Sequence, residues 1–115
     1  NREGKVKTFD NFCLKNDITK IDFVKIDTEG SDLEVLKGAV SFLEKQQISI
    51  IQVETGMNPS NTHHVTFEDV KSYLESFGYR LFGIYEQVVE WPINQTQLRR
   101  ANSVFISQDI QKINL

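Results

Sequence analysis

The sequence predicts an α/β domain: three parallel strands, one antiparallel strand, and flanking helices. Three observations lead there. Helix-like and strand-like patterns alternate along the chain with short polar punctuation. The stretches between the first three strands are long enough for helices of ten or more residues, as right-handed crossovers between parallel strands require. The segment Ile48-Ser49-Ile50-Ile51-Gln52-Val53 is also apolar almost throughout, as a central parallel strand should be.

Taken in order, Thr8 is placed to cap a short helix from Phe9 to about Asn16, with Phe9, Phe12 and Cys13 on one face. Asn16-Asp17 ends it. Ile21–Ile26 reads as the first strand, with Ile21, Phe23, Val24 and Ile26 mostly buried and Lys25 at a margin. Ser31 and Glu34 have capping-box spacing, and behind them Leu33, Leu36, Ala39, Val40 and Leu43 form the apolar face of one helix. Gly38 inside that helix costs about 1 kcal/mol relative to Ala, so close packing on a neighbour is expected to compensate. After the second strand, residues 56–64 form a polar loop. Thr66 caps a third helix with Phe67, Val70, Leu74 and Phe77 as its stripe, and Gly78 stands at its C′ position. Tyr79–Ile84 is the third strand. A loop containing Trp91-Pro92 reverses the chain into a short strand, Ser103–Ile106, expected as an antiparallel partner at the sheet edge.

Composition narrows the function. The 115 residues are 39% hydrophobic and 25% charged, which fits one globular domain. Thirteen basic against sixteen acidic residues give a net charge of −3, so a basic nucleic-acid surface is not expected. Cys13 is the one cysteine, which removes intramolecular disulfides and cysteine-rich zinc sites. No apolar run approaches the roughly 20 residues of a membrane span. A cytoplasmic setting is the default reading. The chain begins at Asn1 rather than Met, as a piece of something longer would.

Ligands of open parallel sheets bind beyond the carboxyl ends of the strands. Sorting the polar residues by that rule gathers Asp27 and Glu29 after the first strand and Glu54 at the end of the second. His63 and His64 follow in the next loop, and Trp91, Arg99, Arg100 and Asn102 lie around the last connection. Taken alone, Asp27 and Glu29 fit helix-start acids as well as catalytic ones. Glu54 is harder to explain structurally, because no helix begins until Thr66. The histidines lack further ligands at metal-site spacing, and Arg99-Arg100 fits a solvated pair. The sequence holds no glycine-rich phosphate loop and no nucleophile elbow. Asn94-Gln95-Thr96 is read as a chance sequon.

The run Ile21-Asp22-Phe23-Val24-Lys25-Ile26-Asp27-Thr28-Glu29-Gly30, continuing through Ser31-Asp32-Leu33-Glu34-Val35-Leu36-Lys37-Gly38-Ala39, resembles the signature of FkbM-type methyltransferases. Thr8-Phe9-Asp10 is similar to that family's threonine-leucine-aspartate segment, with Phe9 in place of leucine. Gln52-Val53-Glu54 is similar to its acid-ended strand, Phe77-Gly78-Tyr79 to its glycine-tyrosine entry, and Leu98–Ile106 to its closing strand. The resemblance implies a Rossmann-like fold and an S-adenosylmethionine-dependent enzyme that methylates a hydroxyl of a sugar, polyketide or similar small molecule. It also implies that residues 1–115 are the C-terminal half of the domain, strands four to seven, because the glycine-rich cofactor turn and the ribose-binding acid are missing. By the same analogy Asp27 and Glu54 are the catalytic acids, adjacent enough to orient and deprotonate a hydroxyl or to share a divalent metal. Glu29, Gly30, His64, Arg100 and Asn102 would lie on the acceptor-side rim. With the first half missing, the outer edge of Ile21–Ile26 is unpaired, which predicts a homodimer through that edge. The rival expectation is a non-catalytic interaction module that uses the same edge.

Overall fold

The computed structural model describes residues 8–27, 31–57, 66–90 and 97–113. Its elements are α1 (Phe9–Lys15), β1 (Ile21–Ile26), α2 (Asp32–Lys37), α3 (Val40–Glu44), β2 (Ile48–Gly56), α4 (Phe67–Glu75), β3 (Arg80–Glu90), β4 (Gln97–Ile106) and α5 (Gln108–Ile113). The strands form one mixed sheet in the order β1-β2-β4-β3.

Among the described strands only β1 and β2 pair in parallel; β4 is antiparallel to both β2 and β3. The expectation of three parallel strands with an antiparallel edge strand is therefore corrected. β3 runs in the same direction as β2, but β4 lies between them, so β4 is internal and β3 takes the edge. The position follows from chemistry on both sides of β4. Val104, Phe105 and Ile106 are all buried, as a strand with two paired edges should be. β3 and β4 are also longer than their apolar cores, and β3 accommodates this with register shifts between Leu81 and Gly83 and between Tyr85 and Val88.

One face of the sheet carries the core. Ile51 and Val53 of β2 and Phe105 of β4 are fully buried there against Cys13, Leu36, Phe42, Leu43, Val70 and Leu74 of the helices. Val24 and Leu81 join them from the two outer strands. The opposite face is different: Ile50, Gln52 and Glu54 are only half-buried, and Phe23 is 51% exposed. Phe23 was expected to be mostly buried. It alternates onto the face that no described helix covers, on a strand at the end of the sheet.

The caps at Thr8 and Thr66 form as expected: their hydroxyls accept from the backbone N–H of Asn11 at 3.1 Å and of Asp69 at 3.4 Å. The Ser31–Glu34 capping box does not form, since Ser31 makes no side-chain cap. The helix expected behind it is two helices broken at Gly38-Ala39. Asp10 explains the break. Its carboxylate accepts from the N–H groups of Ser41 (2.9 Å) and Phe42 (3.3 Å), capping α3 from outside, while its own N–H donates to the Gly38 carbonyl at 2.9 Å. A Cβ on Gly38 would lie 3.3 Å from Thr8 Cβ, so the glycine admits the close approach of α1.

Gly78 adopts φ +92°, as the C′ residue after α4. It delivers Tyr79 into the core, where the ring is wholly buried and its hydroxyl donates to the Ile48 carbonyl at 2.5 Å. Burial pushes this phenol up to about 12. α5 has no counterpart in the sequence reading. It is held by glutamines: Gln46 Oε1 accepts from Gln108 N–H at 2.8 Å, and Gln111 Nε2 donates to the carbonyls of Gly78 (3.1 Å) and Ile106 (3.2 Å).

Candidate functional site

The parallel register pairs Lys25 with Gln52 and Ile26 with Val53. One step further, where β1 ends, Asp27 comes abreast of Glu54, about 5 Å away at the backbone. Glu54 pairs in register with Asn102, and Asn102 pairs with Tyr85. Register partners share a face, so Asp27, Glu54, Asn102 and Tyr85 form one row across all four strands, on the face that the helices leave open. Asp27 is exposed, Glu54 and Asn102 are half-buried, and Tyr85 is 48% exposed.

The row has a built support. Directly behind it, on the covered face, Thr55 Oγ1 and Ser103 Oγ lie 2.9 Å apart, both completely buried, and Thr55 Oγ1 donates to the Ala101 carbonyl at 3.3 Å. Buried hydroxyls left unpaired would cost about 1–3 kcal/mol each, so this pair fixes the β2–β4 register on which the Glu54–Asn102 juxtaposition depends. The end of β2 is also tied to the start of α4 by a bridge between Gly56 and Thr66.

Of the residues expected at the rim, the structure brings Asp27, Glu54 and Asn102 together. Arg100 lies opposite Gly56, two positions from Asn102 on β4. Glu29, Gly30, His63, His64 and Trp91 lie outside the described residues. Among the described residues no group of three or more His, Cys, Asp or Glu could hold a metal ion, so a cation shared by Asp27 and Glu54 has no third protein ligand of that kind there. No described helix is long and apolar enough to cross a membrane.

Tyr85 was not expected on this row because the third strand appeared to end at Ile84. The signal was present: a glycine inside a strand, here Gly83, marks a bulge or a close approach, and an aromatic follows two residues later on the same face. Two cavities, of about 240 and 570 Å³, lie at the other end of the strands. The first is lined by residues around Ile18, Thr19 and Gln47, where Asp10 is already engaged as a cap, and the second by residues around Phe77, Gly78 and Gln108. Neither touches the row.

Among the described glycines, Gly38 breaks a helix, Gly78 caps one, Gly83 lies within a strand, and Gly56 ends β2 singly. None is part of a glycine-rich strand-to-helix turn that would offer several N–H groups to an anionic ligand.

Comparison with known proteins bears on this arrangement. The family model of the methyltransferase FkbM domain matches residues 2–81. The chain is 33% identical over 52 residues to the hexuronic acid methyltransferase AglP of Haloferax volcanii, an alignment that takes in 45% of this chain and 22% of that protein. The chain thus spans about a fifth of the length of the curated relative it matches. No solved structure matches.

Proposed function

The chain belongs to the FkbM methyltransferase domain family, and on that premise we propose that it forms the acceptor side of an S-adenosylmethionine-dependent O-methyltransferase acting on a sugar hydroxyl. In this reading the chain is the C-terminal part of a Rossmann-like domain, and the cofactor is held by parts of the protein outside the described residues. The observation that carries it is the row Asp27–Glu54–Asn102 at the carboxyl ends of β1 and β2. A sugar is favoured over a polyketide because the matched relative is a hexuronic acid methyltransferase.

The roles follow from position. The cofactor, when bound, supplies an electrophilic methyl group. Glu54 takes the proton of the acceptor hydroxyl, and its half-buried position limits competition from water. Asp27, one strand over and more exposed, orients that hydroxyl. Asn102 carries an amide able both to donate and to accept, suited to a second hydroxyl on the same ring. Arg100, with Glu29, Gly30 and His64, completes the acceptor-side rim.

The test is turnover of the full-length protein, followed as S-adenosylhomocysteine release with hexuronosides as acceptors. Glu54→Gln or Asp27→Asn lowers turnover about 10²–10⁴-fold, the usual cost of losing a general base. Affinity for S-adenosylmethionine, measured by calorimetric titration, stays unchanged. An equal loss of cofactor binding overturns the acceptor-side assignment.

A second reading rests on β1. It ends the strand order, no described strand pairs with its other side, and it carries no proline, with only Asp22 and Lys25 as charges. Such an edge is a template for another strand, and a two-fold dimer through Ile21–Ile26 is the simplest closed solution. Light scattering of the 115-residue chain across a dilution series is expected to give a dimer. A monomer at high micromolar concentration overturns it.

A further inference from the structure

We propose that Arg100 reads a carboxylate on the acceptor, so that the sugar methylated is an acidic one. This rests on the sugar-acceptor reading above and adds to it the residue that sets specificity. Placement is the first support. β2 and β4 stay in unbroken register from Ile50–Ile106 to Gly56–Arg100. Strand residues alternate between faces, so Arg100 falls on the same face as Asn102 and Glu54. It is the diagonal neighbour of Glu54, about 7–8 Å away at the backbone. Gly56 is the last residue of β2. The Gly56–Arg100 rung therefore opens onto the crevice beyond the strand ends, where ligands of α/β sheets bind, and it does not need the middle of the sheet to be bare.

The second support is what surrounds that rung. The residues in register with Arg100 are Gly56 on one side and Val88 on the other. Neither carries a charge, and the glycine adds no side chain beside the arginine. The ladder to β3 shifts on both sides of the rung, between Tyr85 and Val88 and between Val88 and Val89. Such irregularities are over-represented next to active sites, where they re-aim a side chain or end pairing. Arg99 falls at the second shift and shares no rung with β2 or β3.

Charge is the third. Asp27 and Glu54 put two carboxylates on the row, and they repel an anionic acceptor unless a cation meets its charge. On this face of β1, β2 and β4 the register places two cations, Lys25 and Arg100. Lys25 pairs with Gln52, toward the middle of the sheet, whereas Arg100 stands at the rim. A guanidinium meets a carboxylate through two parallel hydrogen bonds, which fix orientation as well as position. In a hexuronoside one rigid ring carries both the carboxylate and the hydroxyls. Anchoring the carboxylate at Arg100 therefore turns one ring hydroxyl toward Glu54 and leaves another for Asn102. A neutral sugar lacks that anchor.

The experiment uses the full-length protein and two pairs of acceptors: the methyl glycosides of glucuronic and galacturonic acid, and their uronamides, which keep the shape and lose the charge. S-adenosylhomocysteine release gives kcat/KM for each. Wild type is expected to prefer acid over amide about ten- to a hundredfold, and the preference falls as salt is raised. Arg100→Gln removes most of that preference, and Arg100→Lys, which keeps the charge but not the fork, retains part of it. Affinity for S-adenosylmethionine does not change in either variant. A preference that survives Arg100→Gln overturns the assignment. So does a loss that falls equally on acid and amide, as an arginine serving only to pair with Glu54 would give, or a loss of cofactor affinity. The wild-type comparison decides the matter if Arg100→Gln fails to fold: equal use of acid and amide overturns the carboxylate contact and leaves the sugar-acceptor reading intact. A wild-type protein that methylates neither overturns both.

Discussion

The two faces of the sheet obey different rules. On the helix-covered face, Ile51, Val53, Thr55, Ser103 and Phe105 are all fully buried, and even the polar pair among them is hydrogen-bonded internally. On the open face Val104 and Ile106 are buried at the middle of the sheet, but Gln52, Glu54 and Asn102 are only half-buried and Phe23 and Tyr85 are about half exposed. Both faces are built from the same strands, so the difference arises from alternation and not from local propensity. The covered face supplies stability. The open face carries Glu54 and Asn102, described strand residues proposed to meet the acceptor.

That contrast is open to direct attack. The largest stability effect should come from Phe105→Ala, which empties a wholly buried site at the junction of sheet and helices and is expected to cost about 3–5 kcal/mol. Phe82, 57% exposed, should lose less than about 1 kcal/mol on the same change. Urea denaturation of both variants checks the pair, and equal losses would mean that the exposed side is as tightly packed as the covered one.

Tyr79→Phe should cost about 1 kcal/mol at neutral pH by removing the hydrogen bond to Ile48. It also sharpens the comparison through pH. The folded phenol titrates at about 12, above its ordinary value near 10, so its contribution is complete below pH 10 and is lost as pH rises toward 12. The stability difference between wild type and Tyr79→Phe should therefore shrink over that window, as thermal melts at pH 9, 10 and 11 would record. A difference that does not change with pH would mean that the phenol is solvated.

An effect as small as that of Tyr79→Phe is expected at Asp10. Asp10→Ala removes the external cap of α3 and should cost about 1 kcal/mol, with Asp10→Asn losing less because the amide oxygen still accepts. Hydrogen exchange at Ser41 and Phe42 would rise in the alanine variant if the cap is what protects them.

What the sequence revealed depended on how far apart the partners lie. Thr8, Thr66 and Gly78 were legible because a cap and its partner are three or four residues apart. Strands β1 and β2 were legible from their apolar runs, and Asp27, Glu54 and Asn102 from their places at the strand ends. The break at Gly38 was not, because it is imposed by Asp10, some thirty residues earlier in the chain. Nor was the internal position of β4, which is set by what pairs with its two edges rather than by its own pattern. α5 has no apolar stripe and depends on Gln46 and Gln111, whose partners are distant. Tyr85 was hidden by the irregular register after Leu81, which a period-of-two count cannot anticipate.

The insertion of β4 between β2 and β3 also imposes an order of assembly. β2 and β3 run the same way yet never touch edge to edge, so neither can complete its ladder until the fourth strand arrives. A ribosome delivers that strand after the other three, and until then the growing chain presents the β1–β2 pair and β3 as separate pieces with open ladders. Closing the β2–β4 ladder bridges about fifty residues of chain, from Thr55 to Ala101 and their neighbours, a long loop whose entropy must be met before the contacts form. Folding of this unit is accordingly expected to be late and nearly all-or-none, and a chain stopped after Glu90 should be captured by chaperones or aggregate rather than persist as a partly formed sheet.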